Sequence, residues 1–230
     1  MITELENALI KNRGDFHPVI DFDPAKEKLF LFDFTDNNKV LGASEIADTK
    51  LFADYIDRTL KTNDAKFGIG GYNENRTLYR RSNLFAGEEP RSLHLGIDIW
   101  GPAGTPVHAA LGGMVHSFAY NDNFGDYGAT IILLHQLDTV AFHTLYGHLS
   151  LADISTLHEG AYINRGQVVG HFGEPAENGN WPPHLHFQII HNLYLKDGDY
   201  PGVCKLSEAD AYLANCPDAD LMLNMMKYVQ

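Results

Sequence analysis

The sequence predicts a mainly β fold: an antiparallel β-sheet with an open groove, preceded by a small α+β region and followed by a short helical tail. Three observations carry this. From residue 94 onward, short apolar runs are separated by glycine and Asp/Asn turns roughly every 8–12 positions, the pattern of antiparallel strands. The first ninety residues instead mix helical and strand periodicities. The tail opens a helix at Ser207, with Asp210 three residues on in the manner of a capping box. The expected divisions are therefore 1–90, 91–192 and 193–230. The 230 residues suffice for one generous domain or a domain with an appendage, and 44% hydrophobic with 20% charged residues is ordinary for a globular chain.

Taken in order, Ile2, Leu5 and Leu9 fall on one helical face. Leu29-Phe30-Leu31-Phe32 reads as a strand. Asp48 reads as the N-cap of a helix that turns Leu51, Tyr55 and Leu60 inward. Gly68-Ile69-Gly70-Gly71-Tyr72-Asn73 reads as a flexible stretch leading into the polar segment 73–91. Strands are expected over Thr105–Ala110, Gly113–Ala119, Thr130–His135, Val140–Tyr146, Tyr162–Ile163, Gln167–Phe172 and His184–His191. The segment from Asp218 to Tyr228 has no clear type.

Charge narrows the function. Lys and Arg number 17 against 30 Asp and Glu, a formal net charge of −13. Bulk electrostatics therefore exclude nucleic acid and anionic membrane as partners, and anionic wall polymers would be repelled unless a local basic patch offsets the field. No window approaches the ~18 apolar residues of a membrane span, so no membrane insertion is expected. The opening Met1-Ile2-Thr3-Glu4-Leu5-Glu6-Asn7 has none of the features of a secretory signal. The expected location is cytoplasmic if residue 1 is the native start, and exported with the signal removed otherwise. Cys204 and Cys216 lack zinc-site spacing and read as ordinary thiols.

Twelve histidines are present. His17, His158 and His191 read as surface or loop residues; His108, His116, His143 and His171 as structural members of strands; His135 as a buried hydrogen-bonding residue. Three segments stand apart. His94-Leu95-Gly96-Ile97-Asp98 offers an imidazole and a carboxylate, both acceptable to zinc, although His-x-x-x-Asp alone is a weak signal. Pro183-His184-Leu185-His186-Phe187 on a strand puts two imidazoles on one face and two apolar side chains on the other. Leu145-Tyr146-Gly147-His148-Leu149-Ser150 ends a strand in a histidine that a packed core would also accommodate. Together they supply three ligands, His94, Asp98 and His186, with His148 and His184 as neighbours. A catalytic zinc site needs three protein ligands, an open position, and groups that move protons or steady an oxyanion. Two histidines and one carboxylate also hold iron in oxygenases.

Residues 91–190 resemble the catalytic domain of lysostaphin/LytM-type zinc metallo-endopeptidases. The resemblance rests on an ordered set of motifs: His94-Leu95-Gly96-Ile97-Asp98-Ile99; Gly104-Thr105-Pro106-Val107-His108-Ala109-Ala110 with Gly113-Met114-Val115; Tyr127-Gly128-Ala129-Thr130-Ile131 with His135; Tyr146-Gly147-His148-Leu149-Ser150; Gly160, Gly166-Gln167-Val168-Val169-Gly170 and Gly173; and Pro183-His184-Leu185-His186-Phe187. It implies a LytM/lysostaphin-like sheet of the duplicated hybrid motif type, with a groove floored by sheet and walled by loops. It implies one Zn2+ ion on His94, Asp98 and His186, His148 and His184 as catalytic residues, and peptide or peptidoglycan-fragment substrates. Some relatives carry a preceding segment that covers the groove, a place Asn73-Glu74-Asn75-Arg76 could take here. Two departures are visible. The loop Glu174–Pro182 is acidic and bulky, so that Trp181 and Asn180 become candidate substrate contacts. Gln188 stands where an acidic residue is common and is expected to tune the strand.

Overall fold

A computed structural model describes residues 2–229. Six short α-helices, α1 (Glu4–Lys11), α2 (Ala43–Ala47), α3 (Thr49–Thr62), α4 (Leu151–Ile154), α5 (Ala209–Asn215) and α6 (Asp220–Leu223), surround twelve strands. The strands are β1 (Leu29–Phe32), β2 (Phe67–Gly70), β3 (Leu93–His94), β4 (Ile97–Trp100), β5 (Pro106–His108), β6 (Gly113–Asn121), β7 (Gly128–Leu137), β8 (Val140–Leu149), β9 (Tyr162–Ile163), β10 (Val168–His171), β11 (His184–Ile190) and β12 (Val203–Cys204). Eight of them form one sheet in the order β1-β2-β4-β11-β8-β7-β6-β9, while β5/β10 and β3/β12 are two-stranded. The β1/β2 pair is parallel; the other neighbours in the large sheet are antiparallel. The expected mainly β, antiparallel-dominated fold is what the chain adopts. Among the described residues no helix is long and apolar enough to cross a membrane.

Two strands position the site. Every residue of β4 and β11 is buried, so each buries both faces. Ile97, Ile99, Leu185, Phe187 and Ile189 enter the main core, where Tyr146 packs on Phe187 at 5.3 Å. Side chains alternate along a strand, so Asp98, Trp100, His184, His186 and Gln188 share the other face. Residues from both ends of the chain complete the structure. Leu5 and Leu9 of α1 and Met222 of α6 join the main core. Phe52, Ile56 and Leu60 of α3 pack with Phe32, Phe34, Trp100 and Trp181 on the site face, and Tyr200 and Cys204 pack there with Tyr127 and Leu145.

Several local expectations are corrected. The glycine-rich stretch from Gly68 is not flexible: Phe67–Gly70 is a fully buried strand held by β1 and β4. Its glycines fit because neighbours need the space, since a Cβ on Gly68 would meet the Phe32 ring at 2.2 Å. Asp48 does cap α3, its carboxylate accepting from the Leu51 N–H at 2.9 Å, but the buried face is Phe52, Ile56 and Leu60. Leu51 is 44% exposed, because packing against the aromatic cluster chose the stripe one residue further on. Ile2 precedes α1 and is 63% exposed, Ala8 taking the inner position instead. Ser207 caps no helix: its N–H and hydroxyl both go to Glu89, and α5 starts two residues later without a side-chain cap. The untyped tail segment is α6 followed by a 3-10 turn, Met226–Tyr228. Cys204 and Cys216 are free, buried thiols. His135 is buried and bonded at both nitrogens, to the Gly112 carbonyl at 3.0 Å and the Thr144 hydroxyl at 2.7 Å.

Candidate metal centre and active-site cavity

Strand register brings the five singled-out residues together. Phe32, Gly70, Asp98, His186 and Gly147 lie in one row across β1, β2, β4, β11 and β8. The glycines flanking the Asp98/His186 pair make room for what covers it. A Cβ on Gly70 would come within 2.6 Å of the Arg76 guanidinium, and one on Gly147 within 2.6 Å of the Tyr127 ring. His94 arrives from β3, and Gly96 between it and Asp98 is obligatory: a Cβ there would stand 2.7 Å from the His186 ring. A second row, Gly68, Trp100 and His184, lies two residues along. There Trp100 stacks on His184 at 3.9 Å and 15°. All five site residues are 6% exposed or less.

The hydrogen-bond partners fix where each lone pair points. His94 Nδ1 faces the Gly71 carbonyl at 3.1 Å. A carbonyl only accepts, so Nδ1 carries the proton and Nε2 keeps its lone pair. His186 Nε2 faces Gln188 Oε1 at 2.9 Å, while the Gln188 amide nitrogen donates to the Pro201 carbonyl. His186 Nδ1 is therefore the unprotonated nitrogen. Burial, with the nearby Arg76 charge, lowers the His94 pKa to about 4, so it is neutral at pH 7. Asp98 is held well below the usual carboxylate range: burial opposes its ionisation, and His94 and Arg76 outweigh that opposition.

Three acceptors consequently converge. His94 Nε2 and His186 Nδ1 are 3.0 Å apart, and Asp98 Oδ1 lies 3.3 and 3.0 Å from them. Lone pairs packed this closely repel unless a cation lies among them. Donors bound tetrahedrally to zinc at about 2.0–2.2 Å stand roughly 3.3 Å apart, close to the 3.0–3.3 Å found here. The acceptors behind these two imidazoles are thus the Gly71 carbonyl and the Gln188 side-chain oxygen. The segment Asn73–Arg76, expected over the groove, does reach the site: Arg76 Nη1 donates to Asp98 Oδ2, a contact that nothing in the sequence announced, and the Tyr127 hydroxyl is 3.4 Å from His186 Nε2.

His148 and His184 are pinned as His94 is, but their lone pairs face the cavity. Their Nδ1–H groups donate to the carbonyls of Asn178 and Pro182, each at 2.8 Å, which leaves both Nε2 lone pairs free. Their rings are 4.0 Å apart, centre to centre. Burial depresses both pKa values, that of His184 to about 4. The strand turns left-handed at His148, φ 62°, to aim the ring. That conformation costs a non-glycine residue about 1–3 kcal/mol and persists where the surroundings enforce it. Here Asn178 enforces it: its buried amide bonds Gly173 O, Trp181 O and Trp181 N–H and winds the 174–182 loop around itself.

Asp98, His148, His184 and His186 floor a cavity of about 230 Å³. Leu78, Tyr79 and Phe85 wall one side, and Tyr200, Pro201 and Gly202 the other. Trp181 lines the cavity, its ring 6.3 Å from His148 and 6.4 Å from His184. Asn180 is not among the lining residues; it takes a left-handed turn, φ 66°, and its carbonyl accepts from Thr49.

The model of peptidase family M23 matches residues 92–197. This segment is an M23 peptidase domain. Its buried His94, Asp98 and His186 are a donor set of the kind that can hold a metal ion. DD-carboxypeptidase/endopeptidase Mpg of Neisseria meningitidis serogroup B is 30% identical over 125 residues, 52% of this chain and 26% of its own. Peptidoglycan DD-endopeptidase ShyC of Vibrio cholerae serotype O1 is 31% identical over 118 residues, 51% of this chain and 24% of its own. This chain spans about a quarter of the length of these curated relatives. Among solved structures, the catalytic domain of the antimicrobial peptidase lysostaphin from Staphylococcus simulans is similar at 22% identity. That match covers 70% of this chain and 96% of the other, with a TM-score of 0.41.

Proposed function

We propose that the chain is a zinc-dependent peptidase that hydrolyses peptide bonds of the peptidoglycan stem or cross-link type. His94, Asp98 and His186 hold one Zn2+, and His148 and His184 are catalytic. The observation that carries this reading is the meeting of two imidazole lone pairs and a carboxylate oxygen at 3.0–3.3 Å. The curated relatives, one named as a DD-carboxypeptidase/endopeptidase and one as a peptidoglycan DD-endopeptidase, support the substrate class. Residues 91–192 are the catalytic unit in this proposal, and the segments before and after it serve as walls of its cavity.

When bound there, zinc supplies Lewis acidity to the scissile carbonyl and makes water more acidic. The chain's own residues do the rest. A free Nε2 on His148 or His184 takes the proton of the attacking water. Two neutral imidazoles 4.0 Å apart take up at most one added proton, since like-charge repulsion opposes a second and burial makes even the first quick to leave. The protonated member donates to the tetrahedral oxyanion and then to the leaving amine. Trp100 and the Pro182 carbonyl keep the His184 ring in place. Trp181 bounds the substrate at one end of the cavity, and Asn180 contributes to the turn that presents it.

A second reading, hydrolysis of a small amide or other non-wall substrate, is favoured by the cavity itself. Its volume of about 230 Å³ lies below the usual range for ligand pockets, about 300–1,000 Å³. A polymer chain must pass through a groove, whereas a short soluble peptide fits a pocket. The experiment is to incubate zinc-loaded protein with intact peptidoglycan, soluble stem peptides and simple dipeptides, and to read products by mass spectrometry against a metal-stripped control. Zinc-dependent cleavage of polymer supports the first reading. Cleavage confined to small soluble substrates supports the second. No cleavage of any of them by zinc-loaded protein counts against both.

A further inference from the structure

Arg76 lies outside the segment matched by the family model, yet it touches the centre of the site. It is 1% exposed, and its guanidinium is fully engaged. Nη1 donates to Asp98 Oδ2 and, at 3.3 Å, to the Tyr79 hydroxyl. Nε donates to Glu74 Oε2 at 2.5 Å, and Nη2 reaches the Gly71 carbonyl at 3.5 Å. That same carbonyl accepts from His94 Nδ1. The backbone locks the segment in place: Asn73 N–H donates to His94 O, His94 N–H to Glu74 O and Arg76 N–H to Ser92 O, at 2.9–3.0 Å.

Two of the three donors are therefore oriented by residues 71–76. We propose that Arg76, held by Glu74, is a positioning residue of the metal centre: it occupies Oδ2 of Asp98 and leaves Oδ1 as the single carboxylate oxygen offered to the ion. The proposal rests on reading His94, Asp98 and His186 as metal ligands. A single-oxygen carboxylate with two imidazoles keeps a coordination position open for catalysis, whereas a carboxylate bound through both oxygens would fill it. Charge explains why Glu74 accompanies the arginine. Arg76 alone would cancel the Asp98 charge and repel a cation. With Glu74 beside it the cluster keeps one net negative charge beneath the ion. A fork of two N–H directions suits this task, and a lysine ammonium does not reproduce it.

The test compares the wild-type protein with Arg76→Lys and with the double variant Arg76→Met/Glu74→Gln, which removes one charge of each sign. Zinc and cobalt are titrated into each metal-free protein against a chromophoric chelator. The double variant is expected to bind zinc about 10–100-fold more weakly, the usual cost of losing an outer partner of a ligand. Arg76→Lys is expected to fall between it and wild type. The visible absorption of the cobalt form of the double variant should weaken as Asp98 swings to two-oxygen coordination. Zinc affinity within twofold of wild type, with an unchanged cobalt spectrum, overturns the proposal. If the double variant does not fold, Arg76→Lys decides by the same two readings. Failure of wild-type protein to bind either metal overturns the metal assignment itself, a distinguishable result.

Discussion

The two imidazole pairs on the site face of the sheet are equally buried and differ in where their lone pairs point. His94 and His186 turn theirs toward each other across 3.0 Å, beside a carboxylate oxygen. His148 and His184 turn theirs into the cavity. In each case the partner on the far nitrogen makes the difference: a carbonyl oxygen pins one N–H and so aims the other nitrogen. For the first pair the partners come from Gly71 and Gln188; for the second they are loop carbonyls wound around Asn178 and Pro182. Like side chains thus acquire unlike chemistry from the acceptors placed behind them, three backbone carbonyls and the Gln188 side chain.

The comparison can be broken most severely at Asp98. Asp98→Ala leaves two lone pairs facing each other with no carboxylate. Stoichiometric zinc is expected to be lost, with affinity lower by on the order of a thousandfold, as metal analysis after dialysis would register. His184→Ala should separate the pairs. The expected outcome is full zinc content with hydrolysis slowed about 10²–10⁴-fold, and a protein that kept its full rate would remove His184 from the catalytic assignment.

Gly96→Ala tests the packing that lets the first pair meet. Its Cβ would press the His186 ring and the Phe187 carbonyl at 2.7 Å. An overpacking cost of about 1–3 kcal/mol is expected, with weakened zinc binding, measurable by denaturant unfolding and chelator competition. An unperturbed Gly96→Ala protein would mean that the ring has room the close contacts deny.

A buried histidine away from the site sharpens the contrast with the four within it. Burial pushes His135 down to about 4, against about 6.5 in an unfolded chain. Between those values the unfolded state binds more protons, so stability is complete above pH 6.5 and lost as pH falls toward 4, by about 3 kcal/mol in total. His135→Gln should make the fall in melting temperature between pH 7 and 4 less steep, the other buried histidines keeping their share, while leaving zinc affinity unchanged. An equally steep slope would assign the acid sensitivity to other groups.

The candidate site was largely legible because its residues occur in short, rigid contexts. A strand of period two places His184 and His186 on one face whatever surrounds it, and Gly96 beside His94 announces a close approach. Trp181 was found the same way, as a large aromatic in an otherwise polar loop. Arg76 was named only as part of the Asn73–Arg76 segment expected over the groove, and Tyr127 only as part of a motif, since nothing local announces their contacts with Asp98 and His186. The glycine stretch at 68–71 was misread for a related reason. Gly68 suits a strand only because the Phe32 ring lies over it, and Gly70 only because Arg76 does.

By itself, then, the sequence determined the β texture from residue 94 onward, the alternation within β4 and β11, and the set His94, Asp98, His148, His184 and His186, because periodicity and spacing are properties of a local stretch of chain. Tertiary structure decided that the row Gly70-Asp98-His186-Gly147 aligns across four strands. It decided that residues 71–76 stand behind two of the donors, and that both ends of the chain narrow the groove to a cavity. Those outcomes depend on register and on contacts between residues far apart in sequence, and such contacts leave no periodic trace in the segments that make them.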